Sequence, residues 1–174
     1  MQVCGNAGWL ASAPISIQDA PSSQYRGFMI DTGRHYIKPA RLYAILSAMA
    51  MLKLNVLHWH ISDSTSFPVV SERFPALARA AFARSAIYTL ADLRGVVAYA
   101  KARGIRIVPE FDLPGHGSWW VGMPQLNLSS CSDVLDPTNP EVYAFLATFL
   151  QEMAGVFPDP WLMLGGDEVG FDPR

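Results

Sequence analysis

The run Asn55-Val56-Leu57-His58-Trp59-His60-Ile61 alternates Val56, His58 and His60 on one face with Leu57, Trp59 and Ile61 on the other. It has strand length, and with both faces largely apolar it belongs in a sheet covered on both sides. Just upstream, after Pro39, Leu42, Ile45, Leu46, Met49 and Leu52 recur at helical spacing and predict an amphipathic helix over 39–53. Before that helix, Phe28-Met29-Ile30-Asp31 is another short apolar run. Downstream, a long connection through Phe74-Pro75 and Arg84 holds a short helix near 75–83. Thr89, with Asp92 three residues on, caps a further helix whose stripe is Leu93, Val96, Val97 and Ala100, and Gly104 ends it. A strand over Ile105–Phe111 follows, then a Gly- and Pro-bearing loop with His116 and Trp119-Trp120. Asn139-Pro140-Glu141 starts a third helix, since Pro at the first helical position loses no needed hydrogen bond. Val142, Phe145, Leu146, Phe149 and Met153 face its core side, and Trp161–Leu164 reads as a fourth strand.

The order is βα-βα-βα-β, which calls for parallel strands with helical crossovers and an α/β fold. Doubly wound sheets and (β/α)8 barrels both satisfy it. Asp31 and Arg34, His60 and Asp63, Glu110 and Asp112, and Asp167 and Glu168 all fall at strand C-terminal ends, where both architectures place their sites. No Gly-rich phosphate loop follows the first strand, which disfavours the nucleotide-binding version. The 174 residues, 51% of them apolar, suffice for one core behind an irregular lead-in over 1–23. With 16% charged residues and a net charge of −2, there is no electrostatic footprint for nucleic acid or an anionic membrane. No apolar stretch is long enough to span a bilayer, and Met1–Pro14 does not read as a signal peptide. Cys4 and Cys131 permit at most one internal bridge, and Asn127-Leu128-Ser129 is a glycosylation sequon only if the chain is secreted.

Several residue groups could carry chemistry, each beside a plainer reading. Asp167 and Glu168 follow a glycine pair and can point in different directions, holding different protonation states; the same dipeptide also suits a solvated acidic turn. Asp63 and His116 could form a dyad that orients a catalytic acid, or be ordinary loop residues. Arg34 could grip sugar hydroxyls through its donor fork, or form a surface ion pair. His58 and His60 share a face and could bind a divalent metal, but His35 and His116 are the only other histidines; two packed or supporting histidines fit better. Trp119 and Trp120 could stack on a sugar or simply cover the core.

Four blocks then add up. Arg26-Gly27-Phe28-Met29-Ile30-Asp31-Thr32-Gly33-Arg34-His35-Tyr36, Met51 through Asp63, Gly104 through His116 with Pro109-Glu110-Phe111-Asp112-Leu113-Pro114-Gly115-His116, and Leu164-Gly165-Gly166-Asp167-Glu168-Val169 together resemble the family 20 glycoside hydrolases, most nearly their lysosomal type. The resemblance runs from about residue 17 to 171. It implies half of a (β/α)8 barrel over 24–174 and retaining hydrolysis of terminal β-linked GlcNAc or GalNAc. The substrate's own acetamido group would be the nucleophile, an exception to the two-carboxylate scheme of glycosidases. Glu168 would be the general acid/base and Asp167 would orient the acetamido group. Asp63 and His116 would relay to Glu168, Arg34 would bind sugar hydroxyls, and Asp112 would support the substrate site. No metal or organic cofactor is implied, and a lysosomal or secreted location is suggested by the resemblance alone.

The sequence also departs from the family. It stops just after the fourth strand of an eight-stranded barrel, so the aromatic wall and tyrosine of the acetamido pocket are absent, as is the late acidic residue that grips the sugar. Ser64 stands where the lysosomal type has a second aspartate. Cys131 matches a cysteine that there pairs with one just after the Asp–Glu motif, where this chain has Pro173-Arg174. Three functions follow as expectations: an active glycosidase, a carbohydrate-binding or regulatory half-barrel without turnover, or a fragment of a longer hexosaminidase. The retained set Arg34, Asp63, His116, Asp167 and Glu168 favours the first. Its partners would be an N-acetylhexosamine-terminated glycan and, because a half-barrel leaves edges unpaired, a second copy of the chain.

Overall fold

A computed structural model of the chain describes residues 14–117, 123–128 and 131–169. Cys4, Trp119, Trp120, Ser129 and Pro173-Arg174 lie outside these residues, as does the side chain of Cys131, and with them the expectations placed there. Residues 14–26 form no helix or strand. The regular elements begin with β1 (Gly27–Asp31), α1 (Pro39–Met51) and β2 (Val56–Ser62). They continue with α2 (Leu90–Lys101), β3 (Arg106–Phe111), the short pair β4 (Asn127–Leu128) and β5 (Cys131–Leu135), and α3 (Pro140–Ala154). The chain order β1-β2-β3 is also the order in the sheet, and both pairings are parallel.

Register fixes which side chains share a face. Asp31, His60 and Glu110 stand level across the three strands, with Met29, His58 and Val108 one layer below. The opposite face carries Leu57, Trp59, Ile61 and Phe111, all fully buried beneath the helices. Each helix turns its apolar stripe onto that face: Leu42, Leu46 and Met49 from α1, Leu93, Val96 and Ala100 from α2, and Val142, Phe145, Phe149 and Met153 from α3. Trp59 is the hinge of this packing. Its ring meets Tyr88 edge-on at 5.3 Å and its Nε1 donates to Thr32 Oγ1 at 2.9 Å. Losing such a ring costs on the order of 3–5 kcal/mol.

The ends of the helices follow local chemistry. The Thr89 hydroxyl accepts from the Asp92 N–H and the Asp92 carboxylate accepts from the Thr89 N–H, a reciprocal capping box. Asn139 caps α3 through the Glu141 N–H, with Pro140 in the first helical position. Helix α1 stops two residues sooner than its spacing predicts, because Lys53 takes a left-handed φ of 59° and turns the chain into β2. The helix expected near 75–83 is a 3-10 segment over Pro75–Ala80, anchored by Leu77.

Three expectations need correction. Trp161–Leu164 does not form a strand: it joins β3 only through a bridge between Glu110 and Met163. The four residues are 66%, 37%, 41% and 39% exposed, so among the described residues no second neighbour or covering layer supports an extended ladder there. Strand β1 is likewise not covered on both faces, since Phe28 and Met29 are about half exposed. The loop after β3 hides an antiparallel pair, β4 with β5, too short to give a periodic signal.

Candidate active site

The C-terminal ends of β1, β2 and β3 converge on one cluster of charge. Past β1, the Arg34 backbone N–H donates to Asp31 Oδ1 at 2.9 Å, while its guanidinium donates to Asp31 Oδ2 at 2.9 Å and lies 2.7 Å from Asp63 Oδ2. Gly33 permits this approach, because a Cβ there would sit 2.7 Å from the Asp63 nitrogen. Burial raises the Asp31 carboxyl, but the Arg34 N–H groups outweigh it and hold Asp31 below the usual carboxylate range. The Arg34 side chain remains 49% exposed, so donors of its fork are still available to a ligand.

Asp63, at the end of β2, is buried and is the meeting point. Besides Arg34, its Oδ2 faces His60 Nε2 at 3.0 Å and His116 Nδ1 at 3.8 Å. On the far side of the imidazole, His116 Nε2 lies 3.4 Å from Glu168 Oε2. The three side chains therefore form a line from a buried carboxylate through an imidazole to a carboxylate that is 76% exposed. Contacts of 3.4 and 3.8 Å are ion-pair distances, longer than good hydrogen bonds.

Local backbone chemistry aims these groups. His116 and Glu168 both adopt left-handed φ values, 54° and 50°, uncommon for non-glycine residues and found also at Lys53 in the turn after α1. The His116 loop is clamped to β5, with Gly117 N–H donating to the Asp133 carbonyl and Leu135 N–H to that of Pro114. Ser64 joins the same clamp, donating to the Asp133 carboxylate at 2.9 Å. Gly165 has a φ of +69°, and a Cβ on it would stand 1.8 Å from Asp112 Oδ1. Only glycine lets the segment carrying Asp167 and Glu168 cross over Asp112.

Asp112 is 3% exposed, and its Oδ1 is buried with no hydrogen-bond partner among the described residues. Burial, reinforced by the charges of Asp167 and Glu110 and opposed by His116 and His60, pushes its carboxyl up to about 6. Asp112 lies buried, while Asp167 is exposed beside Glu168. All six expected site residues, Arg34, Asp63, Asp112, His116, Asp167 and Glu168, thus gather at one end of the sheet.

Sequence reasoning missed how tightly His58, His60 and Glu110 belong to the same cluster. Glu110 Oε2 receives both histidines, His58 Nε2 at 2.5 Å and His60 Nδ1 at 2.9 Å. Burial raises the Glu110 carboxyl, yet the two imidazoles outweigh it and hold Glu110 below its ordinary value. The signal was available: the histidines alternate on one strand face, and Glu110 falls level with His60 once β3 is paired. His60, Glu110 and Asp112 bring ligand-type atoms within 4.8 Å, as do Asp63, Asp112 and His116, and His116, Asp167 and Glu168. Proximity alone does not assign a cation, and in the first trio His60 and Glu110 already bond to each other.

The sequence and the fold have counterparts among known proteins. The model of the glycosyl hydrolase family 20 catalytic domain matches residues 24–173. The β-hexosaminidase of Emericella nidulans is 39% identical over 95% of this chain, and the β-hexosaminidase subunit beta of Mus musculus is 46% identical over 90%. The chain spans 30% and 31% of the lengths of those two relatives. Among solved structures, a family 20 exo-β-N-acetylglucosaminidase from Vibrio harveyi, in complex with N-acetylglucosamine, superimposes with a TM-score of 0.79 at 29% identity, covering 87% of this chain and 28% of that one. The family match over residues 24–173 and the identity to these relatives show that this chain belongs to glycosyl hydrolase family 20.

Proposed function

We propose that the chain contributes the acid-bearing half of a barrel, over residues 24–174, that hydrolyses terminal β-linked N-acetylhexosamine with retention. The observation that carries this reading is the line Asp63–His116–Glu168, in which a buried anion stands behind an imidazole that faces an exposed carboxyl. Such a carboxyl can deliver a proton to a leaving glycosidic oxygen and later take one from water. Asp167, next to it on the solvent side, would orient the acetamido group and offset the positive charge of the cyclised intermediate. Arg34 would hold sugar hydroxyls with the donors left free by Asp31 and Asp63, and Asp112 would support the rim from below. The Vibrio harveyi neighbour, solved with N-acetylglucosamine, supports the substrate class.

The same reading asks for a cover. Among the described residues β1 pairs only with β2, and the segment from Trp161 to Leu164 is exposed, leaving two apolar edges of the kind soluble proteins protect. A second copy of the chain, set edge to edge about a two-fold axis, would bury both and bring further loops to the rim. Hydrolysis of a chromogenic GlcNAc glycoside, on protein of verified mass and with light scattering at micromolar concentration, tests both statements. Cleavage of the GlcNAc glycoside but not of the plain glucoside, by a dimer, is expected. Binding without turnover would reject the hydrolytic reading, and a stable active monomer would reject the dimer.

A further inference from the structure

The inner face of β1, β2 and β3 carries more charge than the proposed reaction uses. His60 is 6% exposed, and each of its ring nitrogens faces a carboxylate oxygen: Nδ1 lies 2.9 Å from Glu110 Oε2 and Nε2 lies 3.0 Å from Asp63 Oδ2. A neutral imidazole has one N–H and one lone pair, so in that state one of the two contacts would set a lone pair against an anion. The imidazolium donates to both. A singly protonated ring would need a proton on a carboxyl instead, and Glu110, which also receives His58, is held in the opposite direction.

The surroundings point the same way. From β1 and its loop come Asp31 and Arg34; from β2 come His58 and Asp63; from β3 come Glu110 and Asp112; and His116 stands above Asp63. Four carboxyl groups thus surround His60, with one guanidinium among them. Burial alone would lower the proton affinity of the ring, but the bonds to Glu110 and Asp63 and the charges of Glu110 and Asp31 outweigh it, carrying His60 from 6.5 up to about 9.

We propose that His60 is a positioning residue of the site: as an imidazolium it holds the Asp63 carboxylate charged and fixed beneath His116, with Glu110 as its buried counter-ion. The role in turnover rests on the function proposed above, whereas the charge state of His60 does not. Two cations on Asp63 Oδ2, His60 and Arg34, temper the anion that His116 meets. His116 can then turn one nitrogen to Asp63 and keep a lone pair on the other that accepts a hydrogen bond from the Glu168 carboxyl. Without the His60 charge, Asp63 would lose one of its two cationic anchors and turn its full charge to His116, so the ring would no longer face Glu168 in the same hydrogen-bonding arrangement.

Long-range nitrogen–proton NMR of the imidazole rings, on the full chain labelled with 15N-histidine, tests this without any substrate. His60 should remain doubly protonated from pH 6 to 8. In Glu110→Gln its midpoint should fall by a pH unit or more, and in His60→Gln the His116 ring-nitrogen signals at pH 7 should move from their wild-type positions. A His60 ring that is singly protonated at pH 7, or His116 ring-nitrogen signals unchanged by His60→Gln, would overturn the proposal. Should His60→Gln fail to fold, the wild-type titration and Glu110→Gln, which keeps the ring, still decide the charge state. Activity separates the two levels of argument: an inactive chain with a charged His60 rejects the proposed function and leaves the inference standing.

Discussion

Two regions meet at the rim and are held in opposite ways. The inner face of β1–β3 is a closed network in which Asp31, Arg34, His60, Asp63 and Glu110 each have partners and most are buried. The segment 161–169 is exposed nearly throughout and is held to β3 chiefly by backbone bonds: Met163 N–H to the Pro109 carbonyl, Phe111 N–H to that of Met163, and Leu113 N–H to that of Leu164. One region is positioned by packed charge, the other by backbone turns at Gly165, Gly166 and Glu168. The contrast teaches that the proposed acid is aimed covalently, while the groups that tune it are fixed by burial. Substitutions should therefore separate stability from turnover according to region.

The largest effect is expected from breaking the network. Glu110→Ala removes the hydrogen-bond partner of His58 and one of the two carboxylates that hold the buried His60, leaving His60 Nδ1 without its acceptor; breaking a buried ion pair costs about 3–5 kcal/mol. Urea unfolding should show this loss, and a change under 1 kcal/mol would mean the network is better solvated than its burial indicates.

Next in size is a pH effect on the same network. The proton affinity of His60 in the fold, about 9, exceeds its unfolded value of 6.5. Its stabilisation is therefore complete below 6.5 and disappears as pH rises through 9, a decline of roughly 3 kcal/mol at most. Glu110 acts at the other end, losing its contribution as pH falls through its lowered value. Unfolding free energies measured from pH 6 to 10 should fall across this window, and His60→Gln should flatten the curve.

The exposed arm should behave differently. Glu168→Gln is expected to lower turnover of the chromogenic GlcNAc glycoside by a hundredfold or more, about 2.7 kcal/mol of barrel-rim chemistry. The loss should shrink for substrates with better leaving groups. The unfolding midpoint should not move, because the side chain is 76% exposed. Equal losses for good and poor leaving groups would remove Glu168 from the acid role.

That division also explains what the sequence could and could not reveal. The strand positions of β1, β2 and β3 and the three helices were readable because burial imposes a period on Leu42, Leu46, Leu93, Val96, Phe145 and Phe149. Thr89, Asp92, Asn139 and Pro140 marked helix starts through local hydrogen bonding. The gathering of Arg34, Asp63, His116 and Glu168 was legible in the motif blocks and in their strand-end locations. The bonds of His60 and His58 to Glu110 were not, since they depend on the parallel register of β2 with β3, which no local pattern encodes. Trp161–Leu164 misled because an apolar run specifies a strand only where something pairs with it and covers it, and here the run is exposed. The β4–β5 pair was invisible at two residues in its shorter strand.

The smallest and sharpest test compares the two neighbouring glycines of the arm. Gly165 and Gly166 both have positive φ, 69° and 95°, so alanine at either position carries a backbone cost of about 1–2 kcal/mol. Their surroundings differ. Among the described residues nothing lies within 4 Å of a Cβ on Gly166, whereas a Cβ on Gly165 would overlap the Asp112 carboxylate. Asp112 is buried and cannot swing into solvent without opening the rim, so Gly165→Ala must displace the arm, Asp112 or both. Gly166→Ala should thus show only the backbone cost, with the His116 ring unperturbed by NMR. Gly165→Ala should add a shift of the His116 signals, since Asp112 and the arm both neighbour that ring, and a further loss of turnover beyond that of Gly166→Ala. If the two alanine variants prove alike in both readouts, the arm is free to move away from Asp112, and its aim comes from something other than the close crossing over that carboxylate.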